Sequence, residues 1–245
     1  MLLAVDIGNT NITLALFKGS AIAKSFTIPA KAYARAKLKK ILNGHRIRDA
    51  IVSSVVPAAT KRLGSDLRAA LGKDILILGK NIRVPIKNLY RNPRQVGQDR
   101  LIGAYAASIL YGSPAIVVDF GTAITFDIIS RNKEYMGGMI LPGLELSLTA
   151  LNERTALLPK IKLKSPKEFI GRDTKNSMLS GLVYGVSCMT DSLTQRLKEK
   201  IGRSAPVIAT GGNSRLIFRF SKCIDIVDEN LVLKGLFMLY NSWIR

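Results

Sequence analysis

One histidine, two cysteines and one tryptophan stand in this chain of 245 residues, and each scarcity removes a class of chemistry. A Ser-His-Asp triad could only be built around His45, which lies in the turn-forming group Asn43-Gly44-His45-Arg46. Cys188 and Cys223 are far apart and no CxxC occurs, which argues against a disulfide framework and a cysteine-built zinc site. A reducing, cytoplasmic setting is the expectation. Acids are scarce as well: 17 Asp/Glu face 37 Lys/Arg, for a net charge of +20. Residues 1–112 hold only five acids against 19 bases, whereas residues 113–245 hold 12 against 18. Such an excess favours anionic partners, whether nucleic acid, acidic lipid or a polyphosphate substrate, and a solvated basic face with no specific partner is the plain alternative. In the acid-poor half, Asp6 and Asp99 stand out.

Long apolar runs are missing too. The start MLLAVDIG has no basic leader and Asp6 cuts its apolar run, so no export signal is expected. The uncharged stretch from Leu101 to Val118 is broken by Gly112-Ser113-Pro114, which predicts a buried helix, a turn and a buried strand rather than a membrane span. Neither GxxxxGK[ST] nor GxGxxG is present, so a bound nucleotide needs another device for its phosphates. No helix-turn-helix or zinc-finger pattern is available to read bases.

What is there is a repeated order of elements. Residues 2–7, 12–17 and 21–28 read as three strands joined by short turns, followed by a helix over 31–42, a strand over 50–55, a helix from Pro57 to about Leu71 and a strand over 74–78. The second half repeats the order, with strands at 115–120, 124–129 and 133–141, helices near 143–152 and 174–200, a strand at 206–210, a short helix, a strand at 223–227 and a closing helix at 231–243. Asp6-x-Gly8 and Asp119-x-Gly121 occupy equivalent places. An internal duplication explains this economically: two βββαβαβ halves, 1–112 and 113–245, of an α/β chain, expected to face each other across a cleft.

The turn Asp6-Ile7-Gly8-Asn9-Thr10-Asn11 suits phosphates, because glycine lets the backbone come close and Asn9, Thr10 and Asn11 bring side-chain donors. Asp6, at the strand end, is a candidate ligand for a hydrated Mg2+. A plain tight turn capped by Asp6 is the alternative, and the second copy at Asp119-Phe120-Gly121-Thr122 weighs against it. Asp99 opens a predicted helix, where the dipole favours a carboxylate, with Arg100 beside it. Gly137, Gly138, Pro142 and Gly143 read as a close backbone turn, and Gly211-Gly212 as a place for either a nucleotide base or packing.

The segments DIGNTN at 6–11, YRNPRQVGQDR at 90–100, DFGTAITFD at 119–127, GGMILPG at 137–143, IGRDT at 170–174 and ATGG at 209–212 resemble, in order and spacing over essentially the whole chain, the type III pantothenate kinases. These belong to the superfamily of acetate and sugar kinases, actin and the heat-shock chaperone ATPases. The resemblance implies a duplicated ribonuclease H-like, actin-like ATPase fold and transfer of the γ-phosphate of ATP to pantothenate. It further implies that Asp6, Ile7, Gly8, Asn9, Thr10, Asn11, Ile12 and Thr13 form the first phosphate hairpin and that Thr122 contacts ATP. Asp119 matches a monovalent-cation position for K+ or NH4+. Tyr90, Gly97, Gln98, Asp99, Arg100 and Thr174 match positions that hold pantothenate, with Asp99 also the proton acceptor. A homodimer joined through the second halves, using a helix such as 174–200, is implied too. Two positions depart from the family pattern: Gln98 replaces a commonly small residue, and Ile124 replaces a commonly polar Thr near the second hairpin. The rival readings are a nucleic-acid-associated regulator that keeps the kinase-like fold, and a related kinase with another small substrate.

Overall fold

The computed structural model describes residues 1–244. They form two compact units. The first comprises Met1–Ile86, Arg91–Ala106 and the segment from Leu231 on; the second comprises Lys87–Tyr90 and Ala107–Asn230. The sequence-based partition at 112/113 differs from this division chiefly in the closing helix, which is grouped with the first unit.

In the first unit, β1 (Leu2–Ile7), β2 (Asn11–Lys18) and β3 (Ala21–Pro29) form an antiparallel meander, and β4 (Asp49–Ser54) and β5 (Leu76–Ile77) add on parallel, giving the order β3-β2-β1-β4-β5. Its helices are α1 (Arg35–Leu42), α2 (Pro57–Leu71) and the first part of α3 (Gln98–Leu110). In the second unit, β6 (Ala115–Phe120), β7 (Ala123–Ile129) and β8 (Tyr135–Pro142) make the meander, followed by α4 (Leu144–Arg154), α5 (Thr174–Ile201), β9 (Val207–Thr210), α6 (Ser214–Phe218) and β10 (Ile226–Val227). Its sheet runs β10-β9-β6-β7-β8, the same order in the same sense. This is the duplicated ribonuclease H-like arrangement. The last helix, α7 (Leu231–Trp243), belongs to the first unit.

Strand β1 shows why a nearly continuous apolar run is needed here. Leu3, Val5 and Ile7 face one layer and pack with Leu38 of α1 and Leu63 and Leu67 of α2. Leu2 and Ala4 face the other and pack with Ile102 of α3 and Leu233, Leu236 and Leu239 of α7. Both faces of the strand are covered, so alternation disappears and a hydrophobic run remains. In the second unit Ile116, Val118 and Phe120 of β6 join Val183, Leu197 and Ile201 of α5 in one core.

Three expectations shift. Residues 31–42 are not one helix: a 3-10 turn at Ala30–Ala32 precedes an extended Ala34, and α1 starts at Arg35. The strand expected at 223–227 pairs only over Ile226–Val227, because the backbone N–H groups of Lys222 and Cys223 are donated to the Asp191 carboxylate instead of a ladder. The strand expected at 74–78 is likewise cut to Leu76–Ile77. The stretch from Leu101 to Val118 resolves into α3, a turn and β6, and among the described residues no helix is long and apolar enough to cross a membrane.

Candidate active site

In ribonuclease H-like sheets, as in other open α/β sheets, ligands gather beyond the carboxyl ends of the parallel strands. In the first unit β1 and β4 run side by side and end at Ile7 and Ser54. Asp6 sits opposite Thr13 on β2 and Ser53 on β4. Burial pushes its carboxyl up to about 7, the nearby Asp99 carboxylate adds to the shift, and the Ser53 hydroxyl partly offsets it. The turn that follows is closed by the Gly8 N–H donating to the Asn11 carbonyl at 2.9 Å, and the Thr10 carbonyl accepts from Ala30 N–H at 2.8 Å. Asn9, Thr10 and Asn11 are exposed at its crest, and Thr13 is half-buried. The side chains of Ile7 and Ile12 are buried in the core, so of those two residues only backbone groups can meet a nucleotide.

Asp99 occupies the first turn of α3. Its Oδ1 accepts the Arg100 N–H at 2.8 Å, a charge-assisted bond at a helix start. Burial raises the Asp99 carboxyl above the usual carboxylate range, while that N–H and the Arg100 guanidinium pull in the other direction. Gly97 leaves the room the carboxylate needs: a Cβ on residue 97 would run into Asp99 Oδ1 and lie 3.5 Å from Val55. Gln98 turns toward Gly79, where a Cβ would be 3.2 Å from its amide carbon. Its larger side chain is thus accommodated against the Gly79 turn, one of the tight backbone positions with positive φ, at 76°.

The second unit repeats the aspartate at the strand end with different packing. Asp119 pairs across to Thr125 on β7 and Thr210 on β9. Gly211 has φ of 85°. A side chain there would collide with Asp119 Oδ1 and with Phe120 backbone atoms 2.8 and 2.9 Å away. The hairpin itself is closed by Gly121 N–H to Ala123 O at 3.2 Å and pinned by Gly143 N–H to Thr122 O at 3.1 Å, and Thr122 is exposed. Ile124 is buried with Phe120 and Phe126. Its departure from the family pattern therefore concerns the core.

Tyr90 and Thr174 also lie in the second unit. Tyr90 is half-buried against β8, and Thr174 opens α5, exposed, beside the Asp173 cap that accepts the Asn176 N–H at 2.9 Å. Thr174 lines a depression of about 970 Å³ together with Lys160, Lys162, Lys164, Lys167 and Lys175. Site residues thus fall into two sets, Asp6–Thr13 with Gly97–Arg100 in one unit and Asp119, Thr122, Tyr90 and Thr174 in the other. Ser53 and Tyr135 belong to none of the family-like segments and Asp127 only closes that at 119–127; polar residues inside otherwise apolar strands are the signal that marks all three.

Among the described residues no cluster of three His, Cys, Asp or Glu is placed to hold a metal. Mg2+ commonly takes one or two protein carboxylates and completes its shell with phosphate oxygens and water, and the Asp6 carboxyl at the end of β1 offers one such group.

Two aspartate-glycine hairpins on a duplicated ribonuclease H-like frame suit an ATP-dependent phosphotransferase, and the relatives of the chain are of that class. A family model described as Type III pantothenate kinase matches residues 2–196. The chain is 37% identical over 248 residues to a type III pantothenate kinase of Frankia alni, covering 99% of both. It is 39% identical over 253 residues to one of Agathobacter rectalis, covering 99% of this chain and 97% of that one. It belongs to the type III pantothenate kinase family. Solved structures agree on the fold alone. A Campylobacter jejuni protein, described provisionally as a Baf family transcriptional activator, superposes with TM-score 0.64 at 20% identity over 99% of this chain and 98% of that one. A Sinorhizobium meliloti protein, described provisionally as a 2-dehydro-3-deoxygalactonokinase, gives 0.57 at 15% identity over 99% and 96%.

Proposed function

We propose that this kinase transfers the γ-phosphate of ATP to the primary hydroxyl of pantothenate, giving 4'-phosphopantothenate, the first step toward coenzyme A, with Asp99 as the group that orients the hydroxyl and accepts its proton. The observation that carries this assignment is the setting of Asp99: a half-buried carboxylate with its basicity raised by burial, fixed by the Arg100 N–H and given space by Gly97. Phosphoryl transfer asks a protein chiefly for positioning and charge neutralisation, and a carboxylate of raised pKa is matched to taking a proton late in the step. The positively charged Arg100 is placed to balance the developing negative charge.

The turn over Asp6 to Thr13, with Asp6, Ile7, Gly8, Asn9, Thr10, Asn11, Ile12 and Thr13, receives the ATP phosphates, and Thr122 contributes from the second hairpin. Mg2+ on Asp6 supplies charge neutralisation to those phosphates when bound. Asp119 is assigned a monovalent cation, K+ or NH4+, on the strength of the family match and its position at the strand end. Tyr90, Gly97, Gln98, Arg100 and Thr174 are assigned to pantothenate on the same ground. A homodimer formed through the second unit and a cytoplasmic setting complete the reading. The regulator alternative rests on the +20 charge alone and predicts strongly salt-dependent DNA binding that survives loss of Asp99.

The test is ATP-dependent phosphorylation of pantothenate by the purified protein, with K+ exchanged for Na+, beside Asp99→Asn. Turnover that collapses in the variant while ATP still binds supports the assignment. A variant as active as the parent overturns it.

A further inference from the structure

Tyr90 stands on a built support. Residues 87–90 run alongside β8, where the Tyr135 N–H donates to the Lys87 carbonyl and the Leu89 N–H to the Tyr135 carbonyl, each at 2.8 Å. The Asn88 side chain accepts the Tyr90 N–H at 3.0 Å, and the Lys87 ammonium pairs with Glu134 at 2.7 Å. Beneath the Tyr90 ring there is bare backbone: Gly137 has φ of 116°, a conformation L side chains rarely adopt, and a Cβ there would sit in contact with two ring carbons at 3.4 Å. The Tyr135 ring flanks it with centroids 6.4 Å apart and planes tilted by 39°.

Tyr135 is itself immobilised. It is fully buried, and its hydroxyl donates to Asp127 Oδ1 at 2.8 Å. The other oxygen of Asp127 accepts the Thr125 hydroxyl at 2.9 Å, and Asp127 is 2% exposed. Buried polar groups that are mutually satisfied fix one arrangement, since any other leaves a desolvated oxygen without its donor. The roles proposed above for the phosphoryl transfer include none of Asp127, Tyr135 and Gly137.

We propose that Asp127, Tyr135 and Gly137 are positioning residues for pantothenate: they set the height and tilt of the Tyr90 ring, and so the geometry of the substrate pocket, without touching the substrate. This rests on the assignment of Tyr90 to pantothenate binding. Small errors in presenting a substrate cost far more rate or affinity than the displaced group's own interaction is worth, and a side chain at the positive-φ position 137 forces the backbone directly under the ring to shift.

The test is steady-state kinetics of Tyr135→Phe and Gly137→Ala, each alone and combined with Tyr90→Ala. Each single substitution raises the KM for pantothenate roughly three- to tenfold, leaves the KM for ATP and kcat near the parent values, and adds nothing once Tyr90 is alanine, the non-additivity expected of groups acting through one another. Tyr135→Phe keeps ring and volume, so it carries the test even if Gly137→Ala does not fold. An unchanged pantothenate KM in the support variants, parallel rises for ATP and pantothenate, or full additivity with Tyr90→Ala overturns the proposal. If Tyr90→Ala itself leaves the pantothenate KM unchanged, the role assigned to Tyr90 falls and the proposal with it, an outcome separable from a Tyr90-dependent KM to which the support is indifferent.

Discussion

The two units have the same strand order, and each ends its central strand in aspartate followed two residues later by glycine. The aspartates are nevertheless in different chemical situations. Asp6 neighbours a second carboxylate, Asp99, and is raised toward neutrality. Asp119 lies against the backbone of a positive-φ glycine and has two threonines, Thr125 and Thr210, at the matching rungs of its neighbours. A duplicated frame therefore keeps an aspartate at the same place in its central strand and diverges in what surrounds it: one copy has a second carboxyl nearby, the other a closely packed glycine backbone. The basic excess follows the same division, since residues 1–112 carry most of it.

The sharpest way to break that comparison is to remove the acid only one copy has. Asp99→Asn keeps size and the first turn of α3 but takes away the carboxylate proposed as proton acceptor. Turnover is expected to fall by about 10²–10⁴-fold, with melting temperature and ATP binding retained. Loss of folding together with activity would make Asp99 a structural acid, and the two units would then differ less than their packing suggests.

The next effect belongs to the other copy. Gly211→Ala forces a side chain into a left-handed backbone position and onto Asp119 and Phe120. Strain and overpacking together cost about 2–4 kcal/mol, seen as a fall in Tm of roughly 5–15 °C for a chain of this size. Gly121→Ala is the control: its Cβ would meet the nearest atom, Asp119 Oδ1, at 3.3 Å, and its φ is not positive. It is expected to lose clearly less. Equal losses would show that the Gly211 cradle is not what distinguishes Asp119.

Most of this frame is legible in the sequence because its signals are local. Strands such as Leu2–Ile7 and Ala115–Phe120 are short apolar runs ending in turn residues, and the duplicated Asp-x-Gly reports the repeat. The elements that shift are those decided at a distance. Asp191, some 30 residues away in sequence, takes the amides that would have extended β10. The same holds for the site. Asp6, Asp99 and Asp119 announce themselves by acid scarcity and position, whereas the platform of Asp127, Tyr135 and Gly137 under Tyr90 depends on β7, β8 and residues 87–90 lying together. Ile124 reads in sequence as a change at the hairpin, and only its burial assigns it to the core.

A subtler contrast between the copies is pH dependence. Asp6, raised from 3.8 to about 7, binds more protons folded than unfolded between those values. Its contribution to stability is therefore fullest below about 4 and is lost progressively as pH rises toward and through 7. In the ligand-free protein, Asp6→Asn is expected to flatten this decline in Tm between pH 5 and 8. A Mg2+ ion on Asp6, as proposed above, requires the ionised carboxylate, so on that proposal binding of Mg·ATP should tighten across the same range and release protons. Calorimetry in two buffers of different ionisation enthalpy measures that release directly; no proton release near pH 6.5 would place the nucleotide elsewhere than at Asp6.

The smallest effect is expected at Gln98, the residue that departs from the family pattern beside the proposed base. Its side chain lies against Gly79, within van der Waals reach of that turn, so its bulk is taken up by a glycine whose φ of 76° leaves the space open. Gln98→Ala should therefore change the pantothenate KM by no more than about twofold, within the range of substitutions that disturb no special feature. Gly79→Ala is the reciprocal change: it closes the space Gln98 occupies and should displace that side chain toward Asp99, lowering kcat more than Gln98→Ala does. Combining the two separates the effects, since removal of Gln98 should rescue kcat in the Gly79→Ala background if the clash is the cause, and should leave it low if backbone strain alone is responsible.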